Sequence, residues 1–223
     1  MPEQEPIGAV TSAYGAFADA VRALSDEESW LPSGCSGWAV RDLVFHCLSD
    51  AQRGLVALHT PARGPADRDA TTYWADWRPD TTGAANGRRY VRVCASMFLV
   101  FDQLRELYLE TAAAVVTAAA QADPGRLIAT QGHVLTAGDL LATLAVEATV
   151  HHLDLVTHLP SAVPPSGEGL TAVRAALDGL LGRPLPLDWS DGHYARAGTG
   201  RLPLTTDERQ RLGPDADRFP LFG

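Results

Sequence analysis

Residues 139–159, DLLATLAVEATVHHLDLVTHL, form a long apolar run with a carboxylate and an imidazole near its centre. The run predicts a helix that faces the protein core. Glu147 and His151 are four residues apart, so they share one face of that helix about one turn apart. An ionised glutamate is costly to bury without a partner, and a bound cation would remove that cost. This pair is therefore the first candidate for chemistry.

Helix geometry separates the other polar residues of this run. At about 100° per residue, His152 lies well away from the Glu147 face. Asp154 returns to nearly the same azimuth as Glu147. Its carboxylate can therefore orient the His151 ring by accepting a hydrogen bond from the ring nitrogen that does not bind the metal. His158 shares that face but lies two turns from His151, too far to join a site centred on Glu147.

A metal site would need a further ligand from another helix. His46 is the best candidate, because it interrupts the apolar segment VFHCL at 44–48, where polar groups are rare. Three ligands of the His2Glu type leave an open position, as in catalytic zinc sites, and other divalent metals accept the same atoms. A plainer interpretation is also possible, in which Glu147 and His151 form an ion pair and His46 is a hydrogen-bonded core residue.

The spacing of apolar residues predicts four helices. Three of them cover about 7–24, 38–58 and 88–122. The fourth follows Thr136, whose side chain can cap the helix in a capping-box-like pattern with Asp139. Residues 59–87 read as a long polar loop, and 127–135 as a short hairpin.

These elements predict a mainly α protein built on a four-helix bundle with one long connection. Bundles of this kind build metal sites from facing helices. Residues 1–160 are assigned to the bundle. Residues 161–223 begin with a Pro- and Gly-rich stretch and are expected to form a small C-terminal α+β cap packed on the bundle.

Composition limits the classes of partner. A net charge of -9 and a pI near 5.1 argue against a nucleic-acid-binding protein. The apolar runs are interrupted before the roughly 18 residues that a membrane span needs, and the N-terminus lacks a signal-peptide pattern. We therefore expect a cytoplasmic protein. We also expect a monomer or homodimer, with small molecules as partners.

The sequence offers candidate substrate-binding residues, but each also has a purely structural interpretation. Trp38 is either core packing or part of a substrate-binding wall. Arg88 and Arg89 either begin a solvated helix or supply a bidentate contact to a substrate carboxylate.

Two stretches resemble the signatures of the mycothiol-dependent maleylpyruvate isomerase family: GWAVRDLVFH at 37–46 and EATVHHLDL at 147–155. The C-terminal stretches 198–204 and 219–223 are also similar to family C-termini. The family belongs to the DinB-like superfamily of metal-binding four-helix bundles. The resemblance implies that fold, and a divalent metal, usually zinc, held by His46, Glu147 and His151.

The resemblance also implies a reaction. Mycothiol, the low-molecular-weight thiol of actinobacteria, would bind the open metal position as a thiolate and attack a small electrophile. The outcome would be either cis-trans isomerisation of a maleylpyruvate-like compound or S-transfer. The alternative hypothesis is a non-catalytic bundle that binds a small molecule or a partner protein, in which Glu147 and His151 are a buried polar pair and His46 points elsewhere.

Overall fold

The computed structural model describes residues 5–76, 82–159 and 161–223, and these are mostly helical. The helices are α1 (Glu5–Ala23), α2 (Asp26–Ser29), α3 (Val40–Leu58), α4 (Thr82–Ala95), α5 (Phe101–Gln121), α6 (Ala137–Leu155), α7 (Gly167–Leu181), α8 (Asp191–Gly198) and α9 (Thr206–Leu212). Two strands, β1 (Leu127–Thr130) and β2 (His133–Thr136), pair as an antiparallel hairpin between α5 and α6. Short 3-10 helices cover Thr72–Asp76, Val156–His158 and Gly213–Arg218.

Four helices, α1, α3, α5 and α6, form the bundle. Helix α1 packs against α5 and α6, and α3 packs against the same two helices. The burial pattern of α1 shows why: Val10, Tyr14, Phe17 and Val21 recur every three or four residues and are all buried. Such a stripe places one face of a helix in the core. The predicted mainly α, four-helix-bundle fold is confirmed.

Helix α6 lies at the centre of the molecule. Nearly all of its residues are buried, because α7 also packs against it in addition to the bundle helices. Its start follows the predicted capping pattern: the Asp139 amide donates to Thr136 Oγ1 (3.0 Å), and the Thr136 hydroxyl donates to Asp139 Oδ2 (2.6 Å). The helix that carries the candidate ligands is thus fixed at its N-terminus and enclosed along its length.

The single helix predicted over 88–122 is wrong. The structure divides this region into α4 and α5, which are separated by residues 96–100. Tertiary hydrogen bonds hold the break: Arg41 Nη2 donates to the Phe98 carbonyl (2.8 Å), and the Phe101 amide donates to Asp26 Oδ1 (3.1 Å). The loop predicted over 59–87 is correspondingly shorter, since it contains a 3-10 turn and the start of α4.

The C-terminal residues continue the helical architecture. Helix α7 packs on α6 and α1, and α8 packs on α7. Within 161–223 the structure has helices and turns, whereas the small sheet is the hairpin that precedes α6. Among the helices of the described ranges, none has the length and apolar character required to cross a bilayer.

Candidate metal centre

The packing of α3 on α6 brings three potential ligands together. His46 Nε2 of α3 lies 2.9 Å from His151 Nε2 of α6. Glu147 Oε2, one turn before His151, lies 3.3 Å from the same nitrogen. Ligand atoms of all three residues fall within 4.8 Å of one another. The structure therefore gathers two imidazole nitrogens and one carboxylate oxygen at a single point inside the bundle.

The charges around these residues favour a cation. Burial lowers the pKa of His46, so its imidazole is neutral near pH 7. Burial would raise the pKa of Glu147, but its hydrogen bond with His151 and its electrostatic interactions with His151, His46 and Arg53 together outweigh this and lower the pKa to about 2. Burial also opposes protonation of His151, yet hydrogen bonds with Asp154, Cys35 and Glu147 raise its pKa well above the usual value. A metal ion bound at Nε2 would supply the same positive charge.

A carboxylate behind His151 fixes the orientation of its ring. Asp154 is only 2% exposed, and its Oδ2 lies 3.0 Å from His151 Nδ1. The ring can therefore donate from Nδ1 and direct the lone pair of Nε2 toward His46 and Glu147. Support of this kind is typical of metal-binding histidines.

Asp154 is itself held by the C-terminal part of the chain. Arg201 Nε donates to Oδ1 and Arg201 Nη2 donates to Oδ2, both at 2.8 Å, in a bidentate contact. The Cys35 thiol donates to Oδ2 at 3.1 Å. The pKa of the Asp154 carboxyl is far below its usual range, because its contacts with His151 and Arg201 outweigh the cost of burial. Both of its oxygens are thus satisfied by protein groups.

A second carboxylate, Asp50, lies beside the other histidine, one turn after His46 on α3. It is 5% exposed. Its Oδ1 accepts a hydrogen bond from Arg53 Nη2, while its Oδ2 lies 3.4 Å from His46 Nε2. In the described part of the chain, Oδ2 has no hydrogen-bond partner. A carboxylate oxygen without a partner, beside three convergent ligand atoms, fits a site that receives a cation or a hydrogen-bond donor.

Comparisons with known proteins identify the family of the chain. A sequence model of the mycothiol maleylpyruvate isomerase N-terminal domain matches residues 10–156. The chain belongs to this family. No curated protein matches it. Two similar solved structures are a mycothiol-dependent maleylpyruvate isomerase, 19% identical, and a histidine-to-alanine mutant of such an enzyme, 18% identical. Each alignment covers 79% of this chain and 70% of the other, with a TM-score of 0.56, which shows a shared fold.

In this member of the maleylpyruvate isomerase family, the predicted substrate residues lie at the rim of the cluster or beyond it. The Trp38 ring is 5.2 Å from the His46 ring, and Trp38 Nε1 donates to the Arg88 carbonyl (3.3 Å). Trp38 and Cys35 also line a cavity of about 330 Å³. The Arg88 and Arg89 side chains are exposed on α4. Trp38 thus adjoins a ligand, whereas the contact of Arg88 with Trp38 is made by its backbone.

The two remaining histidines of this region lie apart from the cluster. His152 is buried against Phe17, and its Nε2 lies 2.8 Å from the Val163 carbonyl oxygen. Burial lowers its pKa to about 4. His158 is exposed after the end of α6. Both placements agree with the helix geometry read from the sequence.

Four further residues of the site were not found by sequence reasoning: Cys35, Asp50, Arg53 and Arg201. Asp50 had a signal, since its spacing from His46 repeats the Glu147–His151 spacing. Arg53 follows seven residues after His46 and so returns to the same helix face. Cys35 and Arg201 lie outside helices, in segments without a periodic pattern. Only the tertiary structure places them beside Asp154.

Proposed function

We propose that the protein is a divalent-metal-dependent enzyme that activates mycothiol or a similar low-molecular-weight thiol for attack on a small electrophile. The observation that carries the proposal is the convergence of His46, Glu147 and His151 at one point between α3 and α6. Zinc suits this donor set, which leaves an open coordination position. Family membership favours mycothiol as the thiol and isomerisation as the reaction.

Each residue of the site would have a distinct role. His46, Glu147 and His151 would hold the cation, and Asp154 would keep His151 in the tautomer that presents Nε2. A divalent cation at this point lowers the pKa of a bound thiol, so that it reacts as a thiolate at neutral pH. The buried surroundings exclude bulk water and strengthen the electrostatic interactions within the site. Trp38, at the rim beside His46, is proposed as part of the wall that holds the substrate.

Two reactions are compatible with a thiolate nucleophile. In isomerisation of a maleyl compound, the sulfur adds to one carbon of the conjugated double bond, the resulting single bond rotates, and the thiolate leaves. In S-transfer, the sulfur either displaces a leaving group or adds to the electrophile, which then takes up a proton, and the sulfur remains bonded to carbon. We propose isomerisation first, with S-transfer as the second reaction to assay.

The non-catalytic alternative makes a different structural prediction. It expects His46 to point away from the Glu147–His151 pair. The separation of 2.9 Å between the two histidine Nε2 atoms instead supports a shared ligand. We also propose the division into a bundle (1–160) and a cap (161–223), a cytoplasmic location, and a monomer or homodimer.

The first test is the metal content of the purified protein. We expect one tightly held divalent ion, lost in His46→Ala and Glu147→Ala but retained in the control His158→Ala, whose side chain is exposed on the same stretch of chain. Mycothiol should raise the melting temperature of the metal-loaded protein only. A wild-type protein with no affinity for zinc or other divalent ions would contradict the proposal.

The second test is activity with mycothiol and maleylpyruvate. Loss of the ion through chelation should abolish turnover, and its return should restore it. If the metal-loaded protein binds mycothiol without isomerising maleylpyruvate, a panel of small electrophiles then tests S-transfer. Failure of both reactions in a protein that holds metal and thiol would favour the non-catalytic alternative.

A further inference from the structure

A charged pair, Asp50 and Arg53, lies beside the ligand cluster. Asp50 and Arg53 follow His46 on α3 by four and seven residues, so all three lie on one face of the helix. Asp50 is buried, while the Arg53 side chain is 37% exposed. The pair therefore reaches from the ligand cluster, through Asp50 Oδ2 beside His46 Nε2, to solvent at Arg53.

This pair leaves hydrogen-bonding capacity on both partners. Among the described residues, the hydrogen bonds of Arg53 go to Asp50 alone. A guanidinium carries five N–H donors, so most of those on Arg53 remain available. Asp50 Oδ2 is a buried acceptor without a partner in the described ranges. Ion pairs with a partly exposed arginine add little stability, so stability alone does not explain a buried carboxylate here.

The Arg53 guanidinium is close enough to the ligands to act on them electrostatically. Its positive charge is among the influences that lower the pKa of Glu147. Asp50 holds one Nη of Arg53 and so restricts where the other donors point. An arginine that is oriented in this way binds a carboxylate bidentately at a lower entropic cost than a mobile surface arginine does. Arg88 and Arg89, by contrast, are exposed on α4.

We propose that Arg53, oriented by Asp50, binds a carboxylate group of the electrophilic substrate. This inference rests on the proposed function and deepens it, because it assigns a residue to the recognition of an anionic substrate. The carboxylate would bind on the α3 side of the ligand cluster. In that position it would hold the electrophile beside the thiol, and geometry of this kind accounts for much of the rate gain in bimolecular reactions.

Maleate, a small cis-dicarboxylate, is the probe for a direct binding test in the metal-loaded and the metal-free protein. We expect Arg53→Gln to weaken maleate binding, measured by calorimetry, about 10- to 100-fold, the usual value of a charge-assisted hydrogen bond. Arg53→Lys should retain part of the affinity. The matched control Arg22→Gln removes an exposed arginine of α1 that pairs with Asp19, and its affinity should equal that of the wild type.

Two outcomes would overturn the assignment. One is a wild-type protein that does not bind maleate, or an Arg53→Gln protein that binds it equally well. The other is loss of metal in Arg53→Gln, which would make Arg53 a structural support of the ligands. Metal content and the mycothiol-induced melting shift are measured separately on the wild type, so a failure of the proposed function is recognised independently of the maleate result.

Discussion

Two buried carboxylates flank the candidate ligands, and they differ in how completely the protein satisfies them. Asp154 meets Arg201, Cys35 and His151 through its two oxygens. Asp50 has a partner for one oxygen, while the other faces His46 without a hydrogen bond in the described ranges. The comparison separates two tasks. On the Asp154 side, protein groups satisfy both carboxylate oxygens, and the carboxylate orients His151. On the Asp50 side, one carboxylate oxygen remains available to interact with what the site binds.

The largest effect on stability is expected from a substitution at Asp154. Asp154→Ala removes the partner of Arg201, whose side chain is 19% exposed, and the support of His151. Breaking a buried pair on one side costs about 3–5 kcal/mol. We expect a loss of unfolding free energy in this range, measured by urea denaturation, together with loss of the metal. An Asp154→Ala protein as stable and as metal-rich as the wild type would show that the Asp154 contacts are incidental.

A smaller but more specific effect is expected at Arg201. Arg201→Met retains the Asp154 contact with His151 but removes the bidentate bond, and loss of such outer support typically costs about 10- to 100-fold in metal affinity. Competition with a chelator, at a temperature where the variant is folded, measures this change. Arg218→Met is the control, since Arg218 binds the Leu180 and Leu181 carbonyls of the same C-terminal region. Equal metal affinity in both variants would contradict a link from Arg201 to the ligands.

The close approach of the 33–38 turn to Asp154 offers a steric test of the same side. The Gly34 amide donates to the Asp154 carbonyl at 2.8 Å, and a Cβ at Gly34 would lie 2.7 Å from Asp154 Oδ1 and 2.8 Å from its Cα. Backbone atoms cannot move aside easily, so Gly34→Ala should cost about 1–3 kcal/mol of unfolding free energy. Gly37→Ala is not a matched control because of its positive φ, whereas Gly15→Ala meets an open position in α1. Equal melting temperatures for Gly34→Ala and Gly15→Ala would refute the close packing.

The sequence predicts part of the Asp154 side of the site, namely the placement of Asp154 beside His151. It did not lead us to Asp50. Helix periodicity places Glu147, His151 and Asp154 on one face, because contacts within a helix follow from residue spacing. The contact of Arg201 with Asp154 spans 47 residues of chain, and only the packing of the C-terminal region on α6 creates it. The division of 88–122 into α4 and α5 was missed for the same reason, since side chains from distant segments hold the break. Local pattern thus predicted the helices and the proposed ligands, while tertiary packing supplied their supports.

The smallest effect on folding, and the sharpest test of the comparison, is expected at Asp50. Asp50→Asn keeps the shape of the side chain but removes its charge, so Arg53 loses its ionic partner while the core packing is preserved. Because Oδ2 makes no hydrogen bond within the described residues, we expect unfolding free energy to change by no more than about 1 kcal/mol. Metal content should persist, while maleate binding, measured by calorimetry, should weaken because Arg53 is less firmly oriented. If Asp50→Asn instead destabilised the fold as much as Asp154→Ala does, the two sides would have the same structural role and the distinction between them would be wrong.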